Sequence, residues 1–474
     1  MNVVNVTRSL SRSWRPLLAL AGGGLLSSCA VGPNYKRPDL AVPPVYKGVA
    51  SANAATAGTI PAAWWTLFDD PELAKLSSDA LAANLSIQAA MARVDQAREA
   101  TRSSAGNFFP AISLSPSIRR SGSASGVSTS YSLPLQLGYE LDVWGRLRRQ
   151  YEASQQSELA SADDYEFVRQ TTLASVAQAY FSIRFYDREI SLFEEALDLY
   201  RKQLDLTNTK YKAGLAPQTD LLQAQTQVNS ATNQLIEVRR SRSKQEHALA
   251  ILLGRPPAEV ALPTQPLTTP IPAVPVGLPA NLLNRRPDVA ESEHELAAAN
   301  ADIGVATADF FPSFGLNGSA GFDSNSASHL TDWANRVWSL VPGADLPIFQ
   351  GGQLVAARNR AKARYRELVA NYRAAVLTAF RDVEDSLSDL QLLSEKAGSL
   401  TATIESAREY SRLTQLQYNQ GLTTYLQVID ANQTLLNNEL SAAQAHLDRL
   451  NATVLLIKAL GGGWDGVPVT EQHR

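Results

Sequence analysis

The chain is 474 residues long, enough for two domains or one large core, with 43 basic and 46 acidic residues and a net charge of −3. That balance excludes a dedicated nucleic-acid surface or a polybasic membrane contact. From residue 30 onward no apolar run reaches the roughly 18 residues of a spanning helix, so a bilayer could be crossed only by a β-barrel.

The N-terminus opens with Arg8, Arg12 and Arg15, then a short apolar run from Leu17 to Leu26, then Leu26-Ser27-Ser28-Cys29. A basic start, an apolar stretch too short to span, and small residues before the break define a secretory signal over residues 1–28. Cys29 has no second cysteine to pair with, and residues 29–84 form the N-terminal segment of the mature chain.

A helix of about 22 residues is expected from Ser86 to Asn107. Two strands follow. Ile112, Leu114 and Ile118 alternate with Ser113, Ser115 and Ser117, and Tyr131, Leu133, Leu135, Leu137, Tyr139 and Leu141 alternate with polar or small residues. Period-two alternation gives one apolar and one polar face. A soluble sandwich with one wet face and a membrane barrel with a wet lumen both fit; the small neutral polar face and the tyrosines favour the barrel.

From Gly145 to Tyr211 no proline or glycine interrupts the interior, predicting roughly 65 helical residues, about 100 Å of rod. Its seam runs Leu173, Val176, Tyr180, Ile183, then Ile190, Phe193, Leu197, Tyr200 and Leu204. A reversal at Tyr211-Lys212-Ala213-Gly214-Leu215 leads to a return helix of about 35 residues with a three-four seam (Leu221, Ala224, Val228, Ala231, Leu235, Val238) like that of a coiled coil. Residues 255–280 hold eight prolines from Pro256 to Pro279 and are expected to be an extended connector.

Everything then recurs. Phe108-Phe109-Pro110 returns as Phe310-Phe311-Pro312, Tyr211…Gly214-Leu215 as Tyr418…Gly421-Leu422, and Leu253-Gly254 as Leu460-Gly461, at spacings of about 202 to 207 residues. Residues 85–254 and 281–461 are therefore two copies of one unit, with a tail at 462–474. The second copy's strands set Phe314, Leu316, Ala320 and Phe322, then Trp338, Leu340, Ala344, Leu346 and Ile348, against polar or small neighbours. In each copy the strands should lie at one end of the long helix and the turn at the other. Four strands cannot close a barrel, and an open edge in lipid leaves backbone groups unsatisfied, so several chains must share one.

With these residues in view the chain resembles the TolC-like outer-membrane factors, and within them the acylated, NodT-type efflux lipoproteins. The resemblance rests on Cys29-Ala30-Val31-Gly32-Pro33-Asn34-Tyr35, Trp64-Trp65, Asp70-Pro71-Glu72-Leu73, Tyr139-Glu140-Leu141-Asp142-Val143-Trp144-Gly145, Arg285-Arg286-Pro287-Asp288-Val289, and Gly304-Val305-Ala306 with Phe310-Phe311-Pro312. It implies a membrane α+β fold: a homotrimer whose twelve-stranded β-barrel, four strands per chain, continues into a long α-helical barrel. It implies that Cys29 carries the acyl anchor, with Ala30 directing the product to the outer membrane, and that no other cofactor is needed. The implied partners are a periplasmic adaptor, an inner-membrane pump of the resistance-nodulation-division type and outer-membrane lipid.

For the sites, the resemblance places adaptor docking at Tyr211, Gly214 and Leu215 and at Tyr418, Gly421 and Leu422. It places the pore constriction at the start of the second return helix, with Leu426 and Asp430 facing the axis. Three copies of Asp430 around a pore imply cation preference and pH sensitivity. Relatives carry an arginine three positions later as an ionic lock; here that residue is Gln433. Asp220 is a second gate candidate, although Thr219-Asp220 also reads as an ordinary helix start. Gln218 and Leu222 stand near the corresponding places of the first copy. The five histidines are scattered and no phosphate-binding glycine loop occurs, so an enzyme is not expected. The expected role is a passive efflux conduit for small toxic molecules. A protein-secretion conduit and a non-channel periplasmic coiled-coil lipoprotein are the alternatives.

Overall fold

A computed structural model describes residues 30–40, 42–47, 60–124, 126–275 and 285–464. The signal segment, Cys29, the end of the proline-rich connector and most of the tail lie outside the described residues.

The duplication appears directly in helix lengths. We label the helices α1 (Pro71–Ala83), α2 (Leu85–Gly106), α3 (Arg146–Lys212), α4 (Gln218–Leu252), α5 (Pro287–Ala308), α6 (Gln353–Asn419) and α7 (Tyr425–Ala459). Helices α2 and α5 are both 22 residues, α3 and α6 both 67, and α4 and α7 both 35. The backbone divides into two compact units that cut across the repeats. Among the described residues, one unit takes those within Met1–Asp39, Val94–Ser161 and Ser292–Tyr372, and the other those within Leu40–Arg93, Ala162–Glu291 and Arg373–Arg474.

The first unit is built on an antiparallel sheet. Strands β1 (Ala111–Leu114) and β2 (Ser117–Ser123) both pair with β3 (Gly126–Leu141), which pairs with β4 (Ser313–Ser324), and that with β5 (Arg336–Asp345). β1 and β2 are one strand path, broken at Pro116, which has no N–H to give a ladder; Ser115 still donates to the Pro134 carbonyl at 3.1 Å. The sheet thus has four paths. Its register lines up Leu133 with Phe322, Leu135 with Ala320, Tyr139 with Leu316 and Leu141 with Phe314 on one face, and Trp338 and Leu340 continue that face on β5. The other face is tied by hydroxyls, with Ser319 on Ser339 at 2.8 Å and Ser132 on Asp323. Leu346 and Ile348, expected at the end of the last strand, lie beyond Asp345 and are exposed. Pro347 between them cannot donate to a ladder.

The junction of β3 with α3 explains the Glu140…Gly145 motif. Asp142 accepts from the backbone N–H groups of Leu147 and Arg148, both at 3.0 Å, and so caps the first turn of α3. Glu140 takes a two-pronged contact from Arg146 at 3.0 and 2.6 Å.

In the second unit Trp64, Phe68 and Leu73 join Leu173–Ile183 of α3, Leu249 and Leu253 at the end of α4, and Leu450, Val454 and Ile457 of α7 in one core. The predicted α3 seam is buried from Leu173 to Tyr200. The extended connector packs on the helices. Leu262 is buried, and Leu267 and Ile271 pack against this core. Asp187, fully buried, accepts from Arg184 at 3.3 Å, from Arg242 and from the Gln265 N–H at 3.0 Å. Arg184 and Arg242 in turn donate to the carbonyls of Pro263 and Leu262. Asp70 receives the hydroxyls of Tyr180 at 2.8 Å and Thr269 at 3.1 Å. Prolines keep the connector extended, and these contacts strap it to the helices.

Candidate functional site: turn tips and the return-helix face

Both long helices end in the same turn. Gly214 donates to the Tyr211 carbonyl at 2.9 Å and Leu215 to Lys210 at 2.8 Å; Gly421 donates to Tyr418 at 3.1 Å and Leu422 to Gln417 at 2.9 Å. This pair of bonds is the Schellman motif, which satisfies the last helical carbonyls. It needs a left-handed residue, and Gly214 and Gly421 have φ of 71° and 75°. The residue after the glycine ordinarily folds back onto the helix. Here Leu215 and Leu422 instead stand 79% and 72% exposed.

The two tyrosines of the repeated motif part company. Tyr211 is exposed, whereas Tyr418 is buried against Tyr425, with ring centroids 5.5 Å apart, in a cluster with Ala224 and Val428. The Lys210 ammonium lies 4.1 Å from the centre of the Tyr418 ring, a cation–π contact joining the two tips. Burial pushes the Tyr425 phenol up to about 12, and the Tyr418 phenol rises for the same reason. Asp220, in the first turn of α4, lies close enough for its charge to raise both phenols further. The structure therefore gathers Asp220 with Tyr418 and Tyr425 in the tip.

On α7, Tyr425, Val428, Ala431 and Asn432 face inward. Leu426, 60% exposed, and Asp430 share the opposite face one turn apart. The Asp430 carboxylate makes no hydrogen bond or ion pair among the described residues. Gln433 accepts from the Gln227 amide at 3.0 Å and donates to Asn437 at 3.2 Å. A second amide pair, Gln203 to Gln415 at 2.8 Å, joins the two long helices. Neutral amides carry no distinctive sequence signal, so these pairs were not foreseeable. The equal helices also correct the alignment of the copies. α4 starts at Gln218 and α7 at Tyr425, so Leu426 and Asp430 correspond to Thr219 and Gln223, not to Gln218 and Leu222. The first copy lacks the acid in either register.

Cys29 lies outside the described residues, but the segment after it is firmly held. Val31 donates to the Trp144 carbonyl at 2.9 Å, Arg149 reaches the Asn34 side chain at 2.7 Å, and Asn300 donates to Pro33 at 2.9 Å. Gly32 packs on Gly304, where an added Cβ would come within 2.5 Å of the Gly304 Cα. Trp144 completes the junction, donating to Pro312 at 2.8 Å and stacking on Phe311 at 4.9 Å. Three motifs scattered through the sequence are thus one fastening at the base of the sheet. Elsewhere, His446 Nε2 donates to the Thr269 carbonyl at 3.0 Å, and burial lowers the imidazole's pKa. It helps hold the connector.

A sheet with one apolar and one hydroxyl-lined face and, in the other unit, paired long helices that end in matching turns are features of an outer-membrane channel chain. The solved structures of the outer-membrane channel OprN (30% identity, TM-score 0.86, covering 92% of this chain and 100% of that one) and of the Campylobacter jejuni CmeC channel (25%, 0.89, 94% and 97%) superpose on it. So does the open-state MtrE channel of Neisseria gonorrhoeae (31%, 0.80, 92% and 98%). The chain belongs to the outer membrane efflux protein family, whose model matches residues 76–255 and again 278–462, once for each copy. Among curated relatives, the outer membrane protein OprJ of Pseudomonas aeruginosa is 34% identical, and the probable efflux pump outer membrane protein TtgC of Pseudomonas putida is 32% identical. Each alignment covers 95% of this chain and 96% of the relative. The protein is an outer-membrane efflux channel component.

Proposed function

We propose that three copies of this chain close one twelve-stranded barrel and act as the passive exit duct of a tripartite pump. The observation that carries this reading is the pair of sheet edges. β1/β2 on one side and β5 on the other have no further strand partner among the described residues. Backbone groups at such edges must be paired inside a bilayer, and joining β5 of one chain to β1/β2 of the next meets that need. Three chains with four paths each fit the resemblance. The apolar face then meets lipid, and the hydroxyl-lined face forms the lumen.

The exposed Leu215 and Leu422 supply apolar anchors for a periplasmic adaptor, which links the duct to an inner-membrane pump of the resistance-nodulation-division type. Leu426 and Asp430 form the constriction, three carboxylates around the axis giving cation preference. The cargo is small toxic molecules: one relative, TtgC, is described as a toluene efflux pump outer membrane protein and another, ArpC, as an antibiotic efflux pump outer membrane protein. The acylated Cys29 anchors the chain beside the fastened Ala30–Tyr35 segment, where the base of the sheet meets the membrane surface; acyl chains contribute roughly 0.8 kcal/mol per buried methylene. The protein performs no catalysis. Planar-bilayer recording tests the reading: purified protein forms cation-preferring channels, and Asp430→Ala removes the preference. Unchanged selectivity in the variant overturns the gate assignment, and absence of channels overturns the duct.

A further inference from the structure

The apolar face of the sheet is interrupted by charge at two places, both near the end that carries the β2–β3 and β4–β5 turns. Arg120 stands opposite Thr129, the next position on the same face after Ile118 opposite Tyr131. Arg336 opens β5 opposite Phe322, and the next residue on that face is Trp338 opposite Ala320. Arg119, by contrast, pairs with Ser130 and belongs to the hydroxyl-lined face. Both Arg120 and Arg336 are exposed. Arg336 lies 4.9 Å from the centre of the Trp333 ring and donates to the Trp333 carbonyl at 2.8 Å, while Trp333 itself is 74% exposed. Neither arginine has a carboxylate partner among the described residues.

A cation on the lipid face of a barrel is costly at the midplane and tolerated at the interface. Its position beside tyrosine and tryptophan is the level where those side chains meet headgroups. A guanidinium recognises phosphate through two parallel hydrogen bonds. The two arginines also sit on opposite edges of the sheet. When β5 of one chain pairs with β1/β2 of the next, Arg336 and the neighbouring chain's Arg120 lie on adjacent strands, on the same face, at every seam.

We infer that Arg120 and Arg336 form a binding site for the phosphate groups of the outer-leaflet glycolipid, placed across each subunit seam. The inference rests on the barrel closure proposed above. Lipid held there bridges two chains and steadies the seam.

The test is native mass spectrometry of the full-length protein offered diphosphorylated lipid A, its dephosphorylated form, or phosphatidylglycerol. Wild type and Arg119→Ser should retain lipid A, and the dephosphorylated form should not be retained. Arg120→Ser and Arg336→Ser should each lose about tenfold in retention, the effect of one charge-assisted contact. Equal retention by the double variant, an equal loss in Arg119→Ser, or phosphatidylglycerol held as tightly as lipid A overturns the inference. The same spectra report copy number. Trimers indifferent to the substitutions overturn the lipid site alone, and monomers that keep the arginine-dependent lipid overturn the seam.

Discussion

Gln227 donates a hydrogen bond to Gln433 at 3.0 Å, joining the return helix of the first copy to that of the second. Gln433 occupies the position where the family resemblance calls for an arginine, so a neutral amide contact stands in place of an ionic one. An ion pair responds to salt and to the protonation of its acid. An amide pair responds to neither. A net hydrogen bond is worth about 1 kcal/mol, so Gln433→Ala should raise the open population roughly fivefold, read as more frequent openings in planar bilayers. The ratio of opening frequencies between Gln433→Ala and wild type should stay the same at low and high salt. A ratio that shifts strongly with salt would contradict a neutral contact at Gln433.

The tips yield a second prediction. Leu215 and Leu422 are exposed at turns whose backbone hydrogen bonds are already complete, so Leu215→Asp and Leu422→Asp should leave folding intact. They should weaken crosslinking to the adaptor and restore drug sensitivity in cells that depend on the pump. Adaptor capture at wild-type level by the double variant would remove the tips from the docking surface.

A third concerns the strapped connector. Asp187 is fully buried between Arg184 and Arg242 and also holds the Gln265 N–H. Removing it strands buried cations, a change that typically costs about 3–5 kcal/mol. Asp187→Ala should therefore lower the thermal midpoint markedly and expose the connector to limited proteolysis near Pro263. Cleavage elsewhere with the connector still protected would contradict the strap.

Glu189 supplies a pH dependence. Burial in α3 raises its carboxyl from 4.5 to about 7. The folded protein therefore holds this proton more tightly than the unfolded chain does. The stabilising contribution is complete below about 4.5 and is lost as pH rises through about 7. Glu189→Gln should raise the thermal midpoint at pH 8 and leave it unchanged at pH 4. Equal effects at both values would mean the carboxyl titrates normally.

Much of this architecture was legible in the sequence, for definite reasons. An uninterrupted stretch without proline or glycine marked the first long helix, α3, to within a residue or so, whereas α6 carries Gly398 and was expected only as its repeat; period-two alternation marked the face of each strand. The tips were marked by glycines that the turn requires. The difference between Tyr211 and Tyr418 was hidden, because it depends on Tyr425 standing where the first copy has Gln218. The strap was hidden too: a proline-rich run reads the same whether it swings free or is held by Asp187 and Asp70. The break at Pro116 leaves the register of β3 intact, so pattern alone could not reveal it.

The central claim is that the two edges of this sheet meet in neighbouring copies. Sedimentation equilibrium of the full-length protein in density-matched detergent tests it most directly. The account predicts a mass of three chains, stable to dilution; a single-chain mass under the same conditions would contradict it.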